Sequence, residues 1–327
     1  MRRDRARPPA VSVIIPAYRA SRVIAAALAS VFAQTLSDIE VIVVDDGSPD
    51  RDELVDAIRP YLSQVRYIAQ SNQGAGAARN TAIRVARGRY LAFLDADDRW
   101  EPEFLQRQVS YLDAHPETSM VYCDAISTGD TPIAGHRSMQ AARSQGDVTL
   151  ISLIEQRCNI VLSTVVARRQ PIVAAGMFDA SLRRGQDFEL WLRLALRGVP
   201  IGYQPQVLAE RRVHVEGLSG DTVAAVQRTI NVLDRFGRAH DVPAPARTAL
   251  RIRIMTLVDR LEIEQGKLRL IEGNFAAAQY HLGAARSQTW KIRVAAIALR
   301  IAPRLARAVY VRLRPAWRLG SAGAPAA

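Results

Sequence analysis

The chain has 327 residues, 49% of them apolar, enough for one large α/β domain with an appendage or two modest domains, and it is neither collagen-like nor repetitive. Its net charge of +12 is lopsided: residues 1–220 carry 26 basic and 25 acidic side chains, residues 221–327 carry 18 and 7, and no acid follows Glu272. Two cysteines, Cys123 and Cys158, are too few and too far apart for a disulfide framework or a zinc site, so buried free thiols in a reducing compartment are expected.

Residues 1–9 form a basic tail, and the apolar run at 11–15 is too short for the core of a secretory signal, so none is expected. The spacing predicts a strand over 11–16, a helix over 22–35 with Ser21 as its N-cap, and a strand over 40–44 that ends in Asp45-Asp46-Gly47-Ser48. A helix over 53–61, a strand over 65–68, and a glycine-bearing turn at 72–79 leading into a helix that ends near Gly88 come next. The run Tyr90-Leu91-Ala92-Phe93-Leu94 then reads as a buried strand that stops at Asp95-Ala96-Asp97-Asp98. Strands alternating with helices at this interval give a parallel, doubly wound sheet. Beyond it lie a helix over 103–114, a strand over 120–126, a polar stretch at 127–147 long enough for a mobile loop over a site, and a strand over 159–167. An amphipathic helix over 187–197 and an extended segment over 202–211 precede a region that looks wholly helical from about Asp221.

In parallel α/β sheets ligands collect at the carboxyl ends of the strands. Three carboxylates crowded there repel one another unless a cation sits among them, and a divalent ion bridged to a substrate phosphate is the usual solution. The plainer reading makes Asp98 the N-cap of the next helix, which explains one acid of the three. The turn Gly74-Ala75-Gly76-Ala77-Ala78 is not a dinucleotide fingerprint: it follows the third strand, and Arg79 stands where Gly or Ala is required. Arg79 at a glycine-rich helix start suits a phosphate; as an ordinary surface residue it is equally well explained.

Read in order, Val11-Ser12-Val13-Ile14-Ile15-Pro16-Ala17-Tyr18, Val43-Val44-Asp45-Asp46-Gly47-Ser48, Asn72-Gln73-Gly74 with Arg79-Asn80, and Leu94-Asp95-Ala96-Asp97-Asp98 resemble the successive signatures of family 2 glycosyltransferases. Arg168-Arg169, Gly176-Met177-Phe178-Asp179 and Gln186-Asp187-Phe188-Glu189-Leu190-Trp191-Leu192-Arg193 continue the resemblance, which spans roughly residues 10–220. It implies an α/β chain with the GT-A fold, a doubly wound, mainly parallel, Rossmann-like sheet, over residues 10–220; the helical pattern beyond it adds a C-terminal all-α extension over 221–327. It also implies transfer of a sugar from a nucleoside-diphosphate sugar to a hydroxyl with inversion, in polysaccharide or glycolipid assembly. Carried over by position, Pro16, Asp46, Arg79 and Asp95 bind the nucleotide, with Asp46 on the nucleobase, Asp95 on the ribose side and Arg79 on the diphosphate. Asp97 and Asp98 hold Mn²⁺ or Mg²⁺, and Asp187 is the general base.

One residue departs from the pattern: Gln186 precedes the base where the family often has an acid. His214, in a segment that resembles the family's Arg-x-His, is a third candidate metal ligand, with an ordinary structural histidine as the plainer reading. The rival readings are a sugar nucleotidyltransferase, which resembles a Gly-rich signature directly after the first strand where this chain has Pro16-Ala17-Tyr18, and a nucleotide-sugar-binding relative without turnover. No nucleic-acid partner is expected, because no recognition motif or aromatic interleaving is present. The acceptor is expected to be a hydroxyl-bearing glycan or a lipid-linked molecule. In the tail, residues 251–287 read as a helical hairpin of tetratricopeptide type, and residues 290–317 alternate apolar residues with arginines. The arginines break every run short of a span, so a basic amphipathic helix is expected, lying on an anionic membrane surface or packed on its own domain. A cytoplasmic enzyme, peripheral on the inner face of the cell membrane, is the corresponding location.

Overall fold

The first apolar run forms strand β1 (Val11–Ala17), buried along almost its whole length because neighbours cover both faces. In chain order follow α1 (Ile24–Phe32), β2 (Ile39–Asp46), α2 (Arg51–Ile58), β3 (Val65–Gln70), α3 (Ala75–Val85), β4 (Tyr90–Phe93), β5 (Arg99–Trp100), α4 (Phe104–Ala114) and β6 (Met120–Thr128). Then come α5 (Ser138–Ala141), α6 (Leu150–Ile154), β7 (Val165–Arg168), α7 (Arg169–Ala174), α8 (Gln186–Leu196) and β8 (Ile201–Arg212). The computed structural model describes residues 7–131, 133–141, 144–213, 222–285 and 290–313. Its contacts divide the chain into two units, residues 1–128 with 133–212, and residues 129–132 with 213–327.

The first unit is built on one eight-stranded sheet in the order β3-β2-β1-β4-β7-β6-β8-β5. Strands β1 to β4 run parallel, β7 is antiparallel to both β4 and β6, β8 is parallel to β6, and β5 closes the far edge antiparallel to β8. The order reverses at β1, which lies between β2 and β4, so the carboxyl ends of these three strands meet at one rim. Ile15, Val43, Ala92, Leu28 and Leu54 belong to the core on one face, where helices cover the sheet.

Several elements depart from the sequence reading for identifiable reasons. Ser21 caps no helix: α1 begins at Ile24, and the Ser21 N–H donates to Asp50. Asp98 is not an N-cap either, since α4 starts only at Phe104 and Asp98 precedes the edge strand β5. The strand expected over 159–167 is confined to β7, because Leu162–Thr164 turn as a 3-10 helix in which Thr164 bonds the Val161 carbonyl. The stretch 127–147 is less loop than expected: β6 continues to Thr128, Ile126 pairs with Arg137, and α5 follows. Helix α6, which periodicity does not reveal, starts from a Thr149/Ser152 capping box.

The second unit contains α9 (Thr222–Ala239), α10 (Ala244–Glu272), α11 (Phe275–Ala284), α12 (Trp290–Ile301) and α13 (Pro303–Leu313). The expected hairpin is α10–α11, turned at Gly273 in the left-handed conformation and capped by the Asn274 side chain. Gly266 lets the two helices approach, for a Cβ there would come within 2.7 Å of the Leu282 side chain. No helix among the described residues is long and apolar enough to cross a membrane.

Candidate active site

At the end of β2, two buried aspartates organise the neighbouring loops. Asp45 accepts from the Ser48 N–H and the Tyr67 hydroxyl, each at 2.8 Å. Asp46 accepts from the Gln73 and Gly74 N–H groups at 2.9 and 2.7 Å and from the Gln70 amide at 2.8 Å. Asp46 therefore shapes the 72–74 loop with both oxygens. Gly47 is obligatory beside it: its φ is +70°, and a Cβ would lie 2.7 Å from the Asn72 nitrogen. Pro16 sits in β1 opposite Val44, one residue short of this rim.

Helix α3 carries Arg79, which is buried rather than on the surface and pairs with Asp95 at 2.5 Å. Its guanidinium lies over the Phe178 ring, 5.5 Å from the centroid, while its Nε has no hydrogen-bond partner among the described residues. Asn80 clamps the same residue reciprocally, donating to the Phe178 carbonyl and accepting from its N–H at 2.7 and 2.9 Å. These bonds tie the 79–80 motif to the 176–179 turn almost a hundred residues later. The turn leads to Gly185, left-handed at φ +77°, and then to α8. Gln186 is buried with its Cγ close to Gly76, so the neutral amide at this departure from the family pattern is a packing residue between α3 and α8.

Asp187 stands in the first turn of α8, beyond the N-cap position held by Gly185, so the helix gives it no capping duty. Trp191 and Leu192 anchor the helix in the core, whereas Phe188 is only half-buried. Two residues with no role in the sequence reading fix the helix. Arg193 pairs with Glu189 through two contacts of 2.7 Å and donates to the carbonyls of Ala175 and Met177. Both side chains are nearly buried, a bidentate pair that locks α8 to the turn before it.

The acidic turn after β4 closes with the Asp98 N–H on the Asp95 carbonyl at 3.0 Å, and the Asp95 N–H meets the Ser163 hydroxyl at 3.1 Å. Asp98 is buried and accepts from the Arg212 N–H at 2.8 Å. Burial, reinforced by the neighbouring Asp95 and Asp97 charges, pushes its carboxyl up to about 8. That is the repulsion the sequence implied. A divalent cation would relieve it, and carboxylate oxygens are the hard donors Mn²⁺ and Mg²⁺ take. Among the described residues no three His, Cys, Asp or Glu side chains converge as a ready-made cage. The donor set thus fits an ion that shares its shell with water and substrate phosphate rather than one enclosed by protein. His214 lies outside the described residues, as do Arg314 and Trp317.

Asp95, Asp98 and Asp187 line one cavity of about 560 Å³, a size suited to a small ligand. Pro16, Asp46, Arg79 and Asp97 do not line it. Phe188 and Trp191 face it, and the Trp191 indole N–H is buried without a hydrogen-bond partner among the described residues. The wall is completed by His136, Arg137, Asn159 and Arg211 with apolar Ile160 and Leu162. His136 and Arg137 come from the 127–147 stretch expected over a site, whereas Asn159, Ile160, Leu162 and Arg211 carry no sequence signal that places them here. Cys158 also lines the cavity and, like Cys123, is a buried free thiol.

The family model for glycosyl transferase family 2 matches residues 12–179, about half of the chain. The chain belongs to glycosyl transferase family 2. Among its relatives, WfaP of Escherichia coli, a UDP-Glc:alpha-D-GlcNAc-diphosphoundecaprenol beta-1,3-glucosyltransferase, is 30% identical over 70% of this chain and 88% of its own length. An uncharacterised glycosyltransferase of Rickettsia typhi is 29% identical, and there the match spans 63% of this family 2 chain and 64% of the relative. Among solved structures, Staphylococcus aureus TarS 1–349 superposes with a TM-score of 0.60 at 17% identity, covering 93% of this chain and 92% of TarS. The mannosyltransferase PcManGT of Pyrobaculum calidifontis, solved with GDP-Man and Mn²⁺, gives 0.61 at 21%, covering 94% and 86%. The fold of this family 2 chain is therefore GT-A, with a mixed, mostly parallel sheet and a C-terminal helical region. The matched family segment ends before Asp187, so the case for that residue rests on its place in the cavity.

Proposed function

We propose that this protein transfers a sugar from a nucleoside-diphosphate sugar to a hydroxyl acceptor, with inversion and with the help of a divalent cation. The observation that carries the reading is the meeting of Asp187, from α8, with Asp95 and Asp98, from the end of β4, around one cavity. Inverting transfer needs two things on opposite sides of a sugar: a carboxylate that takes the acceptor proton, and positive charge where the diphosphate departs. Asp187 serves the first need. For the second we assign Arg79, which does not itself line the cavity but is paired with Asp95, which does, and Asp46 keeps the 72–74 loop in place for the nucleobase. Asp97 and Asp98, with His214 as a third candidate, would hold Mn²⁺ or Mg²⁺. When bound, the ion neutralises charge building on the leaving diphosphate.

Relatives support the donor class: TarS has been crystallised with UDP and with UDP-GlcNAc, and PcManGT with GDP-Man. WfaP acts on a diphosphoundecaprenol-linked sugar, and we propose a lipid-linked or glycan acceptor here, in cell-surface polysaccharide or glycolipid assembly. Such an acceptor places the enzyme on the cytoplasmic side, beside the inner face of the membrane. A thermal-shift panel of nucleoside diphosphates and their sugars, with and without Mn²⁺, tests the reading. One nucleotide series should raise the melting temperature more strongly with the ion present, since selective binding stabilises by mass action. No shift with any nucleotide would overturn it.

A further inference from the structure

We propose that α12 and α13 form a docking surface for anionic phospholipid, lying flat on a membrane rather than crossing it. The sequence left two fates open for this helix, membrane contact or packing on its own domain. The structure assigns one face to each. Ile292, Leu299, Ala306 and Tyr310 turn toward Leu270, Ala278 and Leu282 and close a small apolar cluster within the second unit. A different set, Val294, Ile297, Ile301, Leu305 and Val309, recurs every three or four residues and is exposed, from 49% at Val309 to 79% at Ile301. Exposed isoleucine and leucine in a continuous stripe mark an interaction surface rather than ordinary surface scatter. The Ala302 and Ala306 N–H groups, bonded to the Ala298 and Ala302 carbonyls, keep helical register across the break before Pro303.

Charge identifies the occupant. Arg293, Arg300, Arg304 and Arg307 are exposed and follow the stripe along one flank, and a cavity lined by Arg304, Arg307 and Arg312 opens beside Phe275. No acid follows Glu272, so a second copy of this surface would meet like charge along its whole length. A bilayer with anionic headgroups meets both features at once: apolar side chains enter the acyl boundary while the arginines hold phosphates. The inference stands apart from the sugar-transfer reading, because it draws on the second unit alone.

The test is co-sedimentation of the full chain with vesicles of phosphatidylcholine alone or with about one third phosphatidylglycerol. Three proteins are compared: the natural chain, the triple variant Ile297→Ser/Ile301→Ser/Leu305→Ser, and the triple variant Arg293→Gln/Arg300→Gln/Arg304→Gln. All altered side chains are exposed, so folding is retained, and an unchanged circular-dichroism spectrum and melting temperature check it. The natural chain should bind the anionic vesicles, and added salt should weaken binding. The arginine variant should lose affinity by about fivefold per residue, and the apolar variant by at least about tenfold. Equal binding to neutral vesicles, variants that bind like the natural chain, or no vesicle binding but self-association that the apolar variant abolishes would each overturn the proposal.

Discussion

Replacing Arg193 by leucine should be among the most damaging single changes in the first unit. The guanidinium contacts both oxygens of Glu189 at 2.7 Å and also donates to the carbonyls of Ala175 and Met177. With side chains only 11% and 7% exposed, removing one partner leaves the Glu189 carboxylate buried without a counter-ion. Breaking a buried pair in this way costs about 3–5 kcal/mol. For a unit of about 200 residues that corresponds to a fall in melting temperature of roughly 6–20 °C. Urea unfolding followed by circular dichroism measures the loss, with an unchanged slope showing that stability and not compactness has shifted. The double variant Glu189→Leu/Arg193→Leu should recover a substantial part, since the stranded charge has gone. A loss below about 1 kcal/mol for Arg193→Leu, or a double variant as unstable as the summed singles, would refute the claim that this pair holds α8, the helix that carries Asp187.

Gly47→Ala should cost about 1–3 kcal/mol through its left-handed backbone and its contact with Asn72, and should weaken nucleotide binding by displacing the 72–74 loop; wild-type affinity and stability would contradict this. Glu40 is held below the ordinary glutamate value: burial opposes the shift, but hydrogen bonds from Ser12 and Arg87 outweigh it. Its folded pKa is depressed, so it contributes stability above the unfolded value near 4.5 that is lost as pH falls through the folded value. Glu40→Gln should therefore cost about 1–2 kcal/mol at pH 7 and flatten the stability–pH curve below about 4.5, which denaturant titrations at several pH values will show. Gly266→Ala should lower the stability of the α10–α11 hairpin by about 1–3 kcal/mol through overpacking against Leu282, read from unfolding monitored by circular dichroism.

The parallel half of the sheet was legible because β1, β2 and β4 are short apolar runs that stop at recognisable turns. The acidic ends of β2 and β4 could be placed on one rim from strand order rules alone. Helix boundaries were less legible: Ser21 has the chemistry of a cap, yet a tertiary bond to Asp50 takes its N–H and α1 starts later. β7 was overextended because Leu162–Thr164 has strand-like residues whose polar groups serve Asp95 and Trp100 instead. At the candidate site, the motifs pointed to Arg79 and Asp187 but not to what holds them. Asn80 and Phe178 bond each other across nearly a hundred residues, and Arg193 reaches back to the Ala175 and Met177 carbonyls outside its own helix; no local pattern reports such pairings. The exposed stripe on α12 and α13 shows the same limit, since periodicity marks an apolar face without saying which of two faces is covered.

The central claim is that Asp187 takes the acceptor proton in the cavity it shares with Asp95 and Asp98. Its most direct test is the Asp187→Asn variant, compared with the natural chain for release of nucleoside diphosphate in the presence of acceptor and for nucleotide-induced thermal stabilisation. The account predicts that transfer falls by roughly 10²–10⁴-fold while the thermal shift is preserved. Transfer at the natural rate, with the same product, would contradict it.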